Sequence, residues 1–283
     1  MPARNAYVVT ETRHVTGTSG VTYAYRQLGP EGFRPLVLLQ HFRGNLDNWD
    51  PALIDTLAAR RQVIVFDNAG VGGSTGTTPS SIGEMAQDTI AFIDGLRLTE
   101  VDLLGFSIGS FIAQEIALTR SPMIGKIVLA SAAPQGAPGM HGWADDIIGA
   151  VGRPKTDAEG YLNVFFRDTP TSREAGVQCL KRLSERSTGR DEATTWKTRN
   201  AQYDAVLKWG IPNFSMLQRL SAVTQPVFVA NGDDDRMILP WYSHLLHSLL
   251  PQSVVKLYPD SAHGFLFQHF AEFSSDVLEF LGS

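Results

Sequence analysis

The segment Val101-Asp102-Leu103-Leu104-Gly105-Phe106-Ser107-Ile108-Gly109 decides the fold, because an apolar run leads through G-x-S-x-G into a helical pattern at residues 110–119. At such a junction of strand and helix, the two glycines allow a sharp turn and close packing of the helix on the sheet. The turn leaves the serine hydroxyl exposed at the N-terminus of the helix. We therefore interpret Ser107 as a candidate nucleophile; the alternative is a serine that only caps the helix.

A second match to the same string shows why this context matters. Gly72-Gly73-Ser74-Thr75-Gly76 also fits G-x-S-x-G, but Thr77-Thr78-Pro79 follows it instead of a helical pattern. A motif of this kind counts only in its structural context. The second match is therefore interpreted as a glycine-rich loop.

Short apolar runs flank the motif along most of the chain. Runs that are apolar on both faces are typical of parallel strands covered by helices on each side. Helical patterns lie between them, so the alternation predicts an α/β fold with a doubly wound, mostly parallel sheet and right-handed crossovers. Two earlier β-like runs, at residues 7–15 and 21–28, predict an antiparallel pair at the sheet edge. The expected parallel strands are residues 36–39, 63–66, 101–104, 127–129, 227–230 and 254–257.

The alternation stops between the fourth and fifth of these parallel runs. Residues 134–222 contain no convincing strand, begin with the breaker-rich Pro134-Gln135-Gly136-Ala137-Pro138, and then have helical stretches. We expect a helical cap here, inserted into a core formed by residues 1–133 and 223–283. Such an insertion overhangs the sheet edge at which α/β folds bind ligands. Its aromatic residues are candidates for an acyl pocket, although helical spacing favours ordinary packing.

A serine hydroxyl needs a base within hydrogen-bond reach and an acid that orients this base. His263 is the candidate base, because it lies in a polar loop, Pro259-Asp260-Ser261-Ala262-His263-Gly264, between the last strand and the final helix. The loop after residues 227–230 supplies three candidate acids, Asp233, Asp234 and Asp235. Both loops follow strands, so we expect them at the same edge of the sheet as Ser107.

These segments resemble the α/β-hydrolase superfamily, in its esterase, lactonase and haloperoxidase-like branch. Residues 105–109, 232–235 and 262–264 look like its elbow, acid loop and histidine loop, and the order serine, aspartate, histidine is the one expected of it. Residues 35–44 and 66–74 are similar to its oxyanion loop and its D-x-x-G-x-G-x-S segment. The resemblance implies that Asp235 is the acid and that its two neighbours are solvated turn residues.

The resemblance also implies two backbone N–H donors for an oxyanion. One belongs to Ile108, directly after the nucleophile, and the other to the loop after residues 36–39. Members of the superfamily usually have His-Gly before the donor residue, whereas this chain reads His41-Phe42-Arg43-Gly44. Arg43 matches the donor position, and Phe42 is an equal alternative. The Arg43 side chain is interpreted as solvated, with a contact to an anionic substrate as the alternative.

Composition excludes several classes of function. The net charge is −5 and there is no Lys/Arg cluster, which argues against a nucleic-acid partner. No run approaches the roughly 18 apolar residues that span a bilayer, and no signal-peptide pattern appears, so we expect a cytoplasmic protein without a membrane partner. The only cysteine, Cys179, excludes an internal disulfide and is expected to be a buried structural thiol. We expect no metal and no cofactor, because neither metal-ligand spacing nor a dinucleotide motif is found.

Together these features predict a serine hydrolase that cleaves a small or medium carboxylic ester or lactone through an acyl-enzyme. A small-molecule acyl substrate is the partner that we expect, and the sequence does not indicate an oligomeric state. C–C bond hydrolysis and cofactor-free haloperoxidase or perhydrolase chemistry use the same triad and remain alternatives. A ligand receptor on the same fold is a further alternative, since a fold does not fix a function.

Overall fold

A computed structural model describes residues 6–140, 142–152 and 157–282 of the chain. Within these ranges the chain forms one eight-stranded sheet. The strands are β1 (Arg13–Thr16), β2 (Thr22–Leu28), β3 (Leu36–Leu39), β4 (Val63–Phe66), β5 (Val101–Phe106), β6 (Ile124–Ala130), β7 (Val227–Gly232) and β8 (Ser253–Tyr258). Their order in the sheet is β1-β2-β4-β3-β5-β6-β7-β8. The pairs β1–β2 and β2–β4 are antiparallel and the other neighbours are parallel, which confirms the predicted doubly wound, mostly parallel sheet.

Helices cover the sheet on both faces. They are α1 (Ala6–Val9), α2 (Pro51–Ala58), α3 (Ile82–Gly95), α4 (Ile108–Thr119), α5 (Asp145–Val151), α6 (Ala158–Phe165), α7 (Pro170–Leu183), α8 (Trp196–Trp209), α9 (Phe214–Gln218), α10 (Trp241–Leu249), α11 (Phe265–Gln268) and α12 (Phe270–Leu281). Every residue of β3, β4 and β5 is buried, as expected of strands that are covered on both faces. Among the described helices, none is long and apolar enough to span a membrane.

The N-terminal prediction was wrong at its beginning. Residues 7–15 were expected to form one strand, but α1 covers the first part and β1 begins only at Arg13. A helical turn places Tyr7 and Val8 side by side, and both are buried. The Tyr7 N–H donates to Asp55 of α2 at 2.8 Å, and its hydroxyl donates to the carbonyl of Leu46. An alternation of apolar and polar residues as short as this one is compatible with either a helix or a strand. Tertiary contacts therefore decide the conformation of this segment.

Helices α5 to α9 lie between β6 and β7, within residues 134–222, which we call the cap segment. Arg182 of α7 forms a bidentate ion pair with Asp50, the N-cap residue of α2. Cys179, one turn earlier, is fully buried beside Asp50, and its sulfur lies 3.9 Å from the hydroxyl of Tyr161. The contact between α7 and α2 thus joins the cap segment to the sheet domain.

Three loops at one edge of the sheet follow β5, β7 and β8. Since these strands are parallel, their carboxyl ends meet at the same edge. The first loop contains Ser107, the second Asp235 and the third His263. This topology gathers residues that are far apart in sequence.

Candidate active site

Ser107 forms a sharp turn between β5 and α4. Its φ of 56° and ψ of −123° are unfavourable for a residue with a side chain. The flanking glycines make this turn possible: a Cβ on Gly105 would lie 2.4 Å from the Gly109 carbonyl oxygen, and a Cβ on Gly109 would lie 2.1 Å from that of Leu39. The elbow is thus pressed against the end of β3, next to the loop that begins at Gln40.

The second G-x-S-x-G string lies in a loop. The Ser74 hydroxyl donates to the carbonyl of Asp67 at 2.7 Å and accepts from the N–H of Ala24 at 2.9 Å. Ser74 therefore connects the loop to β2 and is not positioned on a strand-to-helix turn.

Asp235 and His263 form a buried hydrogen-bonded pair. His263 Nδ1 lies 2.8 Å from Asp235 Oδ2, and both residues are 1% exposed. The other carboxylate oxygen, Oδ1, accepts from the N–H groups of Met237 and Ile238, each at 2.9 Å. Because the carboxylate can only accept, Nδ1 carries the proton and Nε2 has a free lone pair when the ring is neutral.

The other two aspartates of the acid loop contact different groups. Asp234 is exposed and pairs with Arg167 at 3.0 Å. Asp233 is also exposed, but it accepts from the N–H groups of Asp260 and Ser261 at 3.2 and 3.1 Å. It was expected to be only a solvated turn residue; instead it holds the histidine loop.

The Ser107 elbow meets His263 through an aromatic contact. The Phe106 and His263 ring centroids are 5.1 Å apart. Among the described residues, the Ser107 hydroxyl and the imidazole of His263 form no hydrogen bond in this structure. Ser107 is 4% exposed and His263 is 1% exposed, so the candidate nucleophile and the candidate base are both buried.

The oxyanion loop differs from the expectation at Arg43. Residues 41–44 form a turn closed by a 3.0 Å hydrogen bond from the Gly44 N–H to the His41 carbonyl. The Arg43 N–H, expected to face the oxyanion, donates at 2.7 Å to Gln202 Oε1 of α8. The N–H groups of Phe42 and Ile108, by contrast, donate no hydrogen bond within the described part of the chain. Phe42 is therefore the better candidate for the second donor.

His41 is a neutral residue near the Asp235–His263 pair. Its ring packs against Phe106 and Phe165, with centroids 5.3 and 5.2 Å away. Burial and, to a smaller extent, the nearby His263 together lower the pKa of His41 to about 4. His41 Nδ1 lies 2.9 Å from the Phe42 carbonyl oxygen, so the neutral ring donates there.

A cavity of about 540 Å³ opens next to these residues. His41, Phe42 and Arg43 form one wall, and Tyr161 and Phe165 of α6 contribute to another. Ser107 and His263 do not line it. Phe165 separates the cavity from the pair, since its ring also contacts that of His263 at 5.5 Å.

Other aromatic residues of the cap segment do not line the cavity. Trp209 stacks on Phe111 at 5.1 Å and donates to the carbonyl of Ala133, which is ordinary packing. Phe214 is 73% exposed. No group of three His, Cys, Asp or Glu side chains within the described ranges is arranged to hold a metal ion.

Sequence reasoning missed the contact between Gln202 and the oxyanion loop. No local pattern marks Gln202, which lies in the middle of a predicted cap helix and is 159 positions away from Arg43. The role of Phe165 as a wall of the site was equally invisible, because it was one of several aromatic residues with helical spacing. Only the packing of the cap segment on the sheet edge distinguishes these residues.

Comparisons with known proteins agree with this architecture. Residues 34–270 match the alpha/beta hydrolase fold family. An alpha/beta hydrolase fold protein from Chitinophaga pinensis is 39% identical with a TM-score of 0.92, covering 99% of this chain and 100% of its own. A non-heme chloroperoxidase of Burkholderia pyrrocinia is 26% identical over 95% of this chain and 99% of its own. Est816, described as an N-acyl homoserine lactone degrading enzyme, is 26% identical with a TM-score of 0.74, covering 95% of this chain and 100% of its own. The chain belongs to the alpha/beta hydrolase fold family.

Proposed function

We propose that the chain is a serine hydrolase that cleaves a small or medium carboxylic ester or lactone through an acyl-enzyme on Ser107. One observation carries this proposal: a buried Asp235–His263 hydrogen bond of 2.8 Å at the sheet edge that also bears the strained Ser107 elbow. Nucleophilic catalysis by serine requires a hydroxyl, a base that removes its proton and an acid that orients the base.

In the proposed mechanism, His263 Nε2 removes the proton of the Ser107 hydroxyl as its oxygen attacks the substrate carbonyl. The new C–O bond forms while the carbonyl π electrons move to oxygen, and the N–H groups of Phe42 and Ile108 stabilise the resulting oxyanion. The carbonyl then re-forms, the C–O bond to the alkoxide breaks, and protonated His263 donates its proton to the departing oxygen. The product of this half of the reaction is an acyl-enzyme on Ser107. Water, deprotonated by His263, hydrolyses the acyl-enzyme by the reverse sequence of steps.

The cavity supports a substrate of modest size. Its volume of about 540 Å³ lies within the roughly 300–1,000 Å³ of small-molecule sites. We propose that the acyl group occupies this cavity, with Phe165 moving aside to admit the carbonyl to Ser107. In this arrangement the cap segment covers the cavity and contributes part of its lining through Tyr161 and Phe165. The likeness to Est816 over nearly the whole of both chains favours lactones among the substrates to test.

The likeness to a non-heme chloroperoxidase supports a second candidate reaction on the same acyl-enzyme. Hydrogen peroxide would replace water as the second nucleophile, releasing a peracid and restoring the Ser107 hydroxyl. This reaction needs no residue beyond those of the hydrolysis.

The proposal is tested with p-nitrophenyl esters, lactones and diketones, using the wild type and Ser107→Ala. We expect turnover of at least one ester or lactone and a loss of at least about 10³-fold in kcat in Ser107→Ala. A fluorophosphonate should label the wild type once, at Ser107, and Ser74→Ala, which alters the second motif, should be labelled like the wild type. Peroxide added to the best ester reports the perhydrolase reaction.

Three results would contradict the proposal. Labelling that persists in Ser107→Ala would place the nucleophile elsewhere. Turnover of diketones alone would indicate C–C bond hydrolysis. Tight binding of a lactone with no turnover would indicate a ligand receptor.

A further inference from the structure

The cap segment holds Arg43 of the oxyanion loop through its N–H, its carbonyl and its guanidinium. Its N–H donates to Gln202 Oε1 at 2.7 Å, and its carbonyl accepts from the Thr194 hydroxyl at 2.6 Å. Its guanidinium donates to the carbonyl of Val151, at the end of α5, at 3.1 Å. A single residue of the sheet domain is thus bound by three parts of the cap segment.

Arg43 has a backbone conformation that needs such support. Its φ is +64°, in the left-handed region that residues with a side chain rarely adopt. Unfavourable conformations of this kind persist when the surrounding contacts determine them. The contacts from Gln202 and Thr194 are of this kind, because they bind the N–H and the carbonyl of the same residue.

These contacts also fix the peptide group between Phe42 and Arg43. The N–H of that peptide donates to Gln202, and its carbonyl accepts from His41. With both ends of this peptide bound, the peptide before it presents the Phe42 N–H without a partner on the described chain. The Gly44 N–H binds the carbonyl of that preceding peptide, and Gln202 of the cap segment holds the peptide after it. Gln202 therefore contributes to the direction of the candidate oxyanion donor.

We propose that Gln202 is a positioning residue for the oxyanion hole: its Oε1 holds the Arg43 N–H so that the Phe42 N–H faces the reacting carbonyl. This inference rests on the proposed function, in which Phe42 is an oxyanion donor. Gln202 is 1% exposed and lies on α8, so the cap segment takes part in the chemistry through it. A helix that only covered the substrate would not need this contact.

The effect on kinetics follows from when the negative charge appears. The oxygen carries its charge in the tetrahedral state and not in the bound substrate, so a misdirected donor lowers kcat and leaves KM nearly unchanged. Loss of a whole oxyanion donor costs roughly 10²–10³-fold in kcat. For a donor that is present but misdirected, we expect a loss of about tenfold or more.

The experiment compares three variants on α8. Gln202→Met keeps the length of the side chain and removes the acceptor, whereas Gln202→Glu keeps an acceptor oxygen. The matched control is Thr198→Val, one turn earlier, because Thr198 is also buried and donates to the carbonyl of Gly70 away from the oxyanion loop. kcat and KM on the best ester are normalised to the sites that a fluorophosphonate titrates. The Ki of a trifluoromethyl ketone, which forms a tetrahedral adduct, reports the oxyanion hole directly.

We expect Gln202→Met to lower kcat at least about tenfold and to raise the Ki of the ketone by a similar factor, with KM within about twofold. Gln202→Glu should recover most of kcat, and Thr198→Val should alter kcat and Ki by less than about twofold. Unchanged kcat and Ki in Gln202→Met, or equal losses in Thr198→Val, would overturn the inference.

Two further results keep this inference separate from the proposed function. Activity that survives Ser107→Ala would refute the proposed function, whereas an inactive Ser107→Ala with an unaffected Gln202→Met would refute only the role of Gln202. If Gln202→Met does not fold, Thr194→Val removes the other backbone contact of Arg43. It should shift kcat and Ki in the same direction by a smaller factor, and no shift would overturn the inference.

Discussion

At the scale of single residues, the carboxylate of Asp235 contacts different groups from those of its neighbours Asp233 and Asp234. Asp235 is buried and accepts three hydrogen bonds, one of them from the imidazole of His263. Asp233 and Asp234 are exposed and lie near the guanidinium of Arg167. A carboxylate with three fixed donors is held in one orientation, and it therefore holds the imidazole in one orientation as well.

Asp235→Asn should lose several orders of magnitude in kcat, because an amide of equal size favours the wrong imidazole tautomer. The same exchange costs on the order of 10⁴ in a serine protease. Asp234→Asn is the control, with an expected change below about tenfold, as for most exposed positions. Steady-state kinetics and melting temperatures of both variants check this. If Asp234→Asn or Asp233→Asn were the most damaging exchange, the acid would be misassigned.

The second candidate oxyanion donor could not be predicted from the sequence alone. Residues 41–44 were recognisable as the loop after β3, so Phe42 and Arg43 were both candidates. Which N–H remains unbound depends on Gln202, whose position relative to the loop is set by the whole fold. The candidate nucleophile and the candidate base were easier to predict, because strand and loop patterns mark their positions locally.

At the scale of elements, the parallel strands were the most predictable part. Short runs that are apolar on both faces leave few alternatives, and β3 and β4 have the predicted bounds. The short helices α1, α5 and α9 were not predicted. Each is too short to give a helical period, and tertiary contacts decide its conformation.

The contact between α7 and α2 makes a prediction about stability. Arg182→Ala leaves the fully buried Asp50 carboxylate without the cation that pairs with it. Breaking a buried ion pair in this way costs about 3–5 kcal/mol of unfolding free energy. Arg173→Ala, on the same helix, breaks an exposed pair with Asp168 and should cost less than about 1 kcal/mol. Urea unfolding monitors both, and equal losses would contradict the importance of the buried pair.

At the scale of the whole molecule, Asp67 links stability to pH. It is buried in the loop after β4, and its two oxygens accept from the N–H groups of Leu46 and Gly73. Burial and, to a smaller extent, the charge of Asp191 from the cap segment together raise the pKa of Asp67 to about 8. The folded chain therefore holds a proton that the unfolded chain releases near pH 4.

Stability should consequently fall as pH rises. Between about pH 4 and pH 8 the unfolded state binds fewer protons at Asp67 than the folded state, so the free energy of unfolding decreases with pH in that window. Melting temperatures between about pH 5 and pH 8 should decline in the wild type and decline less in Asp67→Asn. Asp88→Asn, which alters a partly exposed aspartate of α3, should keep most of the wild-type slope. A slope that is identical in Asp67→Asn and the wild type would show that other groups cause it.

Cys179 is the single thiol of the chain, and it is shielded where α7 meets α2. Burial raises the pKa of this thiol, and the thiolate is the form that reacts. A thiol reagent therefore reacts with those molecules in which α7 has moved away from α2. The rate at which a thiol reagent modifies Cys179 should therefore report how often α7 separates from α2, and the measurement needs no engineered label.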